Sequence, residues 1–426
     1  MIPHSRPLPR TPLLGRYHDG TCYGVGHTWH PSCLYCFLEL FYYVYVGALK
    51  VYAPLYLVSD ILRSRTLKAT LFQTVPYILR SSLFLAVNAS GFIGFLCLFR
   101  RLIGRFYFPL IAYAPAACAS LCAIVVERKS RRGLLTGYVF TLAVECLYRM
   151  FKYRGYITPI PYGEVMLFSA ASAVLLPAYR SKQGLHDAIG SVLNVLFHPL
   201  YPKGVARFVE SIRKGAVTKW RYMGYMTVRL ALLSLWCYLV GYVTQVALGL
   251  LSSGTKVFKR WTRLKSVLFN WYNVRFGAFL AVNIGGFKLL EVLLLLLPVD
   301  HNTRMTLAAL VAGLAMATIR SSAISLYAAT KALEVVYFKA VKKGWARSCY
   351  YGDVILYSLS TALLFHTAVF EAHNMRHSYW RFLVGVTNGR IGQLNWEEVD
   401  RFDTHSSLQH RTPTTSPATN DDSVVT

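Results

Sequence analysis

Long hydrophobic runs follow one another along the chain, separated by short polar segments that are mostly basic. A helix needs about 20 mainly apolar residues to cross the hydrocarbon core of a bilayer. The runs that approach this length with few charges are Leu38 to Val58, Ser82 to Phe99, Phe106 to Val126, Leu134 to Leu147, Val165 to Tyr179, Met226 to Leu251, Phe276 to Leu297, Met305 to Ile319, Ala323 to Val341 and Val354 to Ala372. The pattern predicts an all-α protein, a polytopic membrane bundle of about 8 to 10 hydrophobic helices.

The hydrophobic runs fall into two related sets. The sequence Phe-Leu-Ala-Val-Asn occurs at Phe84 to Asn88 and again at Phe279 to Asn283, and a Gly-Phe pair follows at the same distance in both places. Polar residues at matched positions are Asn88 and Asn283, Arg131 and Arg320, and Glu145 and Glu334. Such order is typical of a duplicated membrane module, so the sequence predicts two tandem related repeats.

Composition shifts along the chain predict its domain boundaries. They are an N-terminal His- and Cys-containing segment at 1–37, a first membrane repeat at 38–180, a basic linker at 181–224, a second membrane repeat at 225–385 and a disordered polar tail at 386–426. The tail is predicted because it collects acidic residues and ends in Ser, Thr and Pro. Small residues four apart, such as Ala309, Gly313 and Ala317, predict close helix packing in lipid.

Composition and charge narrow the class of protein. Hydrophobic residues make up 54% of the 426 residues and charged residues only 15%, compared with about 25% charged residues in soluble domains. The net charge of +27 would suit nucleic acid, but the basic residues lie in short runs between apolar stretches, as in loops beside anionic headgroups. We therefore predict membrane lipids as partners and no nucleic acid.

A cluster of His and Cys residues precedes the first hydrophobic run. The candidate metal ligands are His27, His30, Cys33 and Cys36, because two imidazoles and two thiolates can close a tetrahedral zinc site. Their spacing matches no standard zinc pattern. The alternatives are a tight turn that anchors Trp29 at the headgroup level, and redox chemistry. Cys97, within a hydrophobic run, is interpreted as a small apolar residue.

Ionisable groups inside hydrophobic runs are costly and often functional. Arg131 precedes Glu145, and Arg320 precedes Glu334, by about 21 Å of helix, so neither pair can meet within one helix. Their partners must come from other helices, from headgroups or from the second repeat. Two interpretations stay open: helix ends that reach the interface, or a polar contact that lines a substrate path.

No motif of a known catalytic class occurs in the sequence. It contains no His-Glu-x-x-His, no Gly-rich phosphate loop and no Gly-x-Ser-x-Gly, and His366 lies alone in the last hydrophobic run. We predict that the protein is not an enzyme and has neither catalytic residues nor a cofactor. The alternative is a metal-dependent or redox membrane enzyme that uses zinc at His27, His30 and Cys33.

Six stretches carry a resemblance to a known family. They are Gly26 to Cys33, Val51 to Leu57, Glu127 to Thr136, Phe276 to Leu280, Val336 to Lys339 and Ser378 to Leu383. In these the chain resembles the transmembrane protein 135 family, although its linker is shorter than the family's. The repeated units are loosely similar to the mitochondrial inner-membrane translocase channels and to related peroxisomal membrane proteins.

The resemblance implies a multi-pass protein of the peroxisomal or mitochondrial membrane, with the lipid droplet as an alternative. It implies a role in organelle dynamics and in fatty acid and cholesterol handling or transport, without enzymatic activity. The alternative is a membrane scaffold for organelle fission machinery that transports nothing. Fission or lipid-transfer proteins are the implied partners, and a homo-oligomer is left open.

Overall fold

The computed structural model describes residues 17–62, 72, 74–180, 188–197, 219–253, 261–294, 300–400 and 402. The α-helices of these residues, in chain order, are α1 Cys22–Val25, α2 Cys33–Leu62, α3 Val75–Ile103, α4 Phe108–Ile111, α5 Tyr113–Val126, α6 Lys129–Tyr153, α7 Gly163–Arg180, α8 Ala188–Phe197, α9 Lys219–Ser253, α10 Trp261–Leu268, α11 Trp271–Leu294, α12 His301–Ala312, α13 Ser322–Lys342, α14 Gly352–Phe370, α15 His377–Val386 and α16 Trp396–Asp400. Short 3-10 helices cover Gly313–Thr318, Ala372–Asn374 and Arg390–Gln393. Two short antiparallel strands, β1 Tyr17–His18 and β2 Phe106–Tyr107, pair with each other.

Seven helices within the described residues are long and apolar enough to cross a membrane. They are Cys33–Leu57, Val75–Ile103, Phe108–Val126, Lys129–Tyr153, Thr227–Leu250, Leu264–Leu294 and Gly352–Phe370. The all-α polytopic class predicted from sequence is thereby confirmed, and the chain is a multi-pass membrane protein.

The spans differ in detail from the hydrophobic runs. The run from Leu134 to Leu147 belongs to the longer helix α6, whose 25 residues suffice to cross. The run from Met305 to Ile319 divides into the short helix α12 and a 3-10 helix. The run from Ala323 to Val341 lies in α13, which carries four charged residues, and it does not meet the length and composition of a span. The described residues therefore contain seven candidate spans, fewer than the 8 to 10 hydrophobic helices that the sequence predicts.

The chain divides into two compact units, Met1–Thr158 with Ser348–Thr426, and Pro159–Arg347. In the first unit α2 packs on α3, α3 packs on α5, and α14 packs on both α5 and α6. Its core is apolar, with Leu96, Phe106 and Phe370 almost fully buried. Leu96 and Phe370 lie in candidate membrane spans, where close van der Waals packing rather than the hydrophobic effect drives the association of helices.

Residues 387–400 and 402, which follow α15, are folded, and for these residues the predicted disordered tail at 386–426 is corrected. Val399 and Phe402 are almost fully buried in the core of the first unit. The Asn395 amide donates to the backbone oxygen of Gly24 at 2.9 Å. The acidic residues of this segment predict exposure to solvent, but the apolar residues between them supply a face that packs on the core. Residues 403–426 lie outside the described residues, as do 181–187 and 198–218 of the basic linker.

The second unit is built around α11 and α7. Helix α11 packs on α9 and α12, and α7 packs on α12, α13 and the 3-10 helix between them. Gly313 permits the close approach of α7, because a Cβ there would overlap the Cα of Ser169 and lie 3.1 Å from its Cβ. The small-residue ladder predicted at Ala309 and Gly313 thus packs helices within this unit.

The same turn ends α6 in one unit and α13 in the other. Gly155 and Gly344 both have a φ of 76°, a left-handed conformation that glycine adopts without steric cost. The next amides, of Tyr156 and Trp345, donate to carbonyls five residues earlier at 2.9 Å. The duplication stays a prediction, and the units divide the chain at other points: α7 belongs to the second unit and α14 to the first.

Candidate functional site

The first unit contains a large apolar cavity. It encloses about 1140 Å³ of empty space, the open solvent at its mouth included. Residues of α2, α3, α6, α14 and α15 line it, among them Val44, Phe84, Phe92, Phe365 and Phe382. The rings of Phe92 and Phe365, both part of the lining, contact each other with centroids 5.0 Å apart. Such a lining fits hydrocarbon.

Asn88, one of the repeat-matched positions, lies in the wall of this cavity. Its side-chain nitrogen donates to the hydroxyl of Tyr357 at 2.8 Å, and the hydroxyl of Ser120 donates to its oxygen at 3.4 Å. The amide thereby links α3 to α14 and α5. Its hydrogen-bonding capacity is used within the wall, so Asn88 stiffens the cavity without making it polar.

One part of the cavity wall is polar, at Trp29 and Arg390. The Arg390 guanidinium pairs with the Glu39 carboxylate, donates to the Gln393 side chain at 2.7 Å and lies 5.3 Å from the centre of the Trp29 ring. Three atoms here are buried without a hydrogen-bond partner among the described residues: Trp29 Nε1, Arg390 Nε and Glu39 Oε2. Buried polar atoms are nearly always satisfied, so unpaired ones call for an explanation.

The sequence indicated only part of this polar wall. Trp29 was singled out as a headgroup anchor, whereas Arg390 and Glu39 were not selected. No local signal could have joined them, because 351 residues separate the two partners of the ion pair.

The matched arginines have different surroundings. The Arg131 guanidinium donates to the hydroxyls of Tyr56 and Ser81 and lies 3.5 Å from the fully buried carboxylate of Glu127. Arg320 lies just before α13, where its guanidinium covers the ring of Tyr162 at 4.4 Å. Arg131 therefore joins α2, α3 and α6 in a buried network, whereas Arg320 makes an exposed contact.

The matched glutamates also differ. Glu145 is buried and binds two arginines: Arg376 through two nitrogens, and Arg149 at 2.7 Å. Glu334 is more exposed and pairs with Lys331 at 2.7 Å. The sequence predicted that the partners would come from other helices, headgroups or the second repeat. Arg376, which precedes α15, agrees with this prediction, but Arg149 and Lys331 do not, because each lies in the same helix as its glutamate. Neither glutamate lines the cavity.

Asn283 has a structural position in the second unit. Its side-chain nitrogen donates to the backbone oxygen of Ala312 at 3.0 Å, where α12 gives way to the 3-10 helix. The same unit holds a buried polar group that sequence reasoning missed: Lys288 lies 2.5 Å from Glu291, which Arg180 also approaches at 3.5 Å. These contacts tie α11 to its neighbours.

A cluster of His and Cys side chains lies at the N-terminal edge of the first unit. Its members are Cys22, His27, Cys33 and Cys97, whose ligand atoms all lie within 4.8 Å of one another. His27 is fully buried, and its Nε2 lies 3.3 Å from the sulfur of Cys33. Two of the predicted ligands, His27 and Cys33, therefore come together. The other two members of the cluster, Cys22 and Cys97, were not among the predicted ligands.

The other two predicted ligands lie outside this cluster. The His30 ring accepts a hydrogen bond from the Ser32 amide at 3.0 Å and stacks on Tyr35. The Cys36 thiol donates to the backbone oxygen of His30 at 3.3 Å. Cys97 was interpreted as an apolar residue, but its position near the end of α3 brings its sulfur to the cluster. Cys97 is so far in sequence from the other cluster members that no local sequence pattern could have predicted this contact.

Short-range structure holds the cluster in place. Thr21 caps α1, since its hydroxyl accepts from the Gly24 amide at 3.0 Å, and the amide of His27 donates to the carbonyl of Cys22 at 3.1 Å. A hydrogen bond from Cys97, together with the neighbouring His27, lowers the pKa of the Cys22 thiol to about 5, against the opposing effect of burial.

Comparison with known protein families gives a match for the part of the chain that holds several of these features. A family model for the N-terminal cysteine-rich region of Transmembrane protein 135 matches residues 19–152. This region includes the whole His and Cys cluster, Asn88, Arg131 and Glu145, and every cysteine except Cys237 and Cys349. No solved structure matches the chain. Over residues 19–152, about a third of its length, the chain is therefore similar to the N-terminal region of Transmembrane protein 135.

Proposed function

We propose that the protein is a non-enzymatic lipid-handling protein of an organelle membrane, and that the cavity of its first unit binds one lipid molecule. The observation that carries this proposal is an apolar cavity whose lining includes Trp29 and Arg390, each with a buried side-chain nitrogen, Nε1 and Nε, that has no hydrogen-bond partner among the described residues. Glu39, which pairs with Arg390 behind this lining, has an unpaired Oε2. An apolar body would fill the cavity, and a small polar group would meet these atoms. Pockets for small molecules combine an apolar lining with a few such groups.

The three atoms favour a lipid whose polar group is a hydroxyl. Trp29 Nε1 and Arg390 Nε are donors, whereas Glu39 Oε2 is an acceptor. A hydroxyl both accepts and donates, so it can serve both kinds of atom at once. A carboxylate or phosphate would only accept, and it would add a negative charge beside Glu39, which already neutralises Arg390. A sterol meets this description.

The peroxisomal or mitochondrial membrane is the location that we propose. The resemblance described above supports it, as do the basic segments that flank hydrophobic runs. In that membrane the protein would move or organise the bound lipid and thereby affect the number and shape of the organelles. Membrane lipids are its proposed partners, together with the organelle's lipid-transfer or fission proteins.

The test is a sterol-binding measurement on the purified full chain in detergent, with Trp29→Phe as the variant. The change keeps an aromatic ring but removes the Nε1 donor, so we expect sterol affinity to fall about fivefold, as one hydrogen bond contributes about 1 kcal/mol. Trp345→Phe is the matched control, because Trp345 is 78% exposed and lies in the second unit. It should leave binding unchanged.

Two competitors complete the experiment. Cholestane, which has the sterol rings without the hydroxyl, should compete weakly and equally for wild type and Trp29→Phe. Stronger binding of a fatty acid than of a sterol would contradict the hydroxyl proposal. Absence of saturable binding for every lipid tested would contradict lipid handling and favour the scaffold alternative.

A further inference from the structure

We propose that Cys22, His27, Cys33 and Cys97 together bind one zinc ion, which fastens the N-terminal segment to α2 and α3. The four residues come from α1, the loop after it, the start of α2 and the end of α3. Zinc would therefore join three helices that are separate in sequence. The site differs from the one expected from sequence in two of its four ligands, and it does not depend on lipid binding.

The distances suit tetrahedral zinc. With Zn–S bonds of about 2.3 Å and Zn–N bonds of about 2.0 Å, the ligand atoms of such a site lie about 3.5 to 3.8 Å from one another. The ligand atoms here lie within 4.8 Å of one another, and His27 Nε2 lies 3.3 Å from Cys33 Sγ. Small side-chain rotations would bring all four to bonding distance.

The hydrogen bond of His27 selects the nitrogen that would bind the metal. Its Nδ1 lies 2.9 Å from the backbone oxygen of His30, and because a carbonyl can only accept, Nδ1 carries the proton. In the neutral ring this leaves the lone pair on Nε2, the nitrogen that faces Cys33. Metal-binding histidines nearly always donate their other N–H in this way, which fixes the ring.

The ligand set indicates the metal and its role. Three thiolates and an imidazole favour zinc over calcium or magnesium, which prefer oxygen ligands. Four protein ligands close the tetrahedron and leave no position for water or substrate, as in structural sites. The site thus argues against the metal-dependent enzyme considered from the sequence. It would instead fix the loop that carries Trp29, between His27 and Cys33.

The first test is the metal content of the full chain, purified in detergent under reducing conditions. We expect about one zinc per chain by elemental analysis. Cys22→Ser and Cys97→Ser should each lower zinc affinity at least tenfold, as losses around zinc sites do. The matched controls are Cys36→Ser and Cys122→Ser, whose sulfurs lie outside the cluster; both should retain zinc.

A spectrum of the wild-type protein tests the metal site without any substitution that could prevent folding. After removal of zinc with a chelator, cobalt(II) should give the absorption of a tetrahedral thiolate site, and added zinc should abolish it. Protein without stoichiometric zinc and without this cobalt spectrum would overturn the proposal. So would a Cys22–Cys97 disulfide in chains alkylated at the moment of cell lysis, because a disulfide would remove two of the ligands.

Discussion

At the scale of the residue, the described part of the chain shows how buried charges are tolerated. Glu145 is 4% exposed and is bound by Arg149 and Arg376, and Glu127 is fully buried beside Arg131. Removing one partner of a buried pair leaves a charge without compensation, which costs more than the pair contributes. The matched glutamates should therefore respond differently to the same substitution.

Glu145→Gln is expected to destabilise the protein by about 1 to 3 kcal/mol, less than for a fully buried pair because Arg376 and Arg149 are partly exposed. Glu334→Gln, the control, should cost less than about 1 kcal/mol, since its pair with Lys331 is partly exposed. Denaturant unfolding in detergent measures both. Equal effects would show that burial does not distinguish the two positions.

At the scale of the element, close helix approach depends on single glycines. At Gly313 an added Cβ would overlap the backbone of α7 at Ser169, whereas at Gly286 it would meet no atom within 4 Å. Both positions belong to helices of the second unit. Packing against backbone cannot relax by a side-chain rotation, so the cost should concentrate at Gly313.

Gly313→Ala is expected to destabilise the second unit by about 1 to 3 kcal/mol, because it overpacks the contact with α7. Gly286→Ala should be neutral or stabilise by up to about 1 kcal/mol, since alanine is the better helix former and the space is open. Thermal unfolding of the two variants measures the difference. Gly313→Ala with a stability equal to that of Gly286→Ala would contradict this packing.

The helices were predictable from sequence, but their partners were not. The length and period of the apolar runs determine helices such as α3, because lipid requires backbone hydrogen bonds within a segment. The joining of Cys97 to Cys22, and of Arg390 to Glu39, depends on tertiary packing between distant segments. For the same reason His30 and Cys36 lie outside the cluster, although they are close in sequence to its members His27 and Cys33.

At the scale of the whole molecule, the chain is a multi-pass helical membrane protein whose residues 19–152 match the N-terminal cysteine-rich region of Transmembrane protein 135. Two features of its first unit have distinct proposed roles. We propose that zinc at the His and Cys cluster holds the N-terminal segment, and that the cavity holds a lipid. Both involve the loop with Trp29, which lies between two cluster members and lines the cavity. Among the described residues, no such cluster of His and Cys lies in the second unit.

Photolabelling with a photoreactive sterol, followed by peptide mass spectrometry of the purified full chain, tests lipid binding in the cavity most directly. The label should fall on cavity residues of α3, α14 and α15, such as Phe92, Phe365 and Phe382, and excess unlabelled sterol should displace it. Label confined to exposed apolar residues such as Leu310 and Leu314, or label that unlabelled sterol does not displace, would contradict the account.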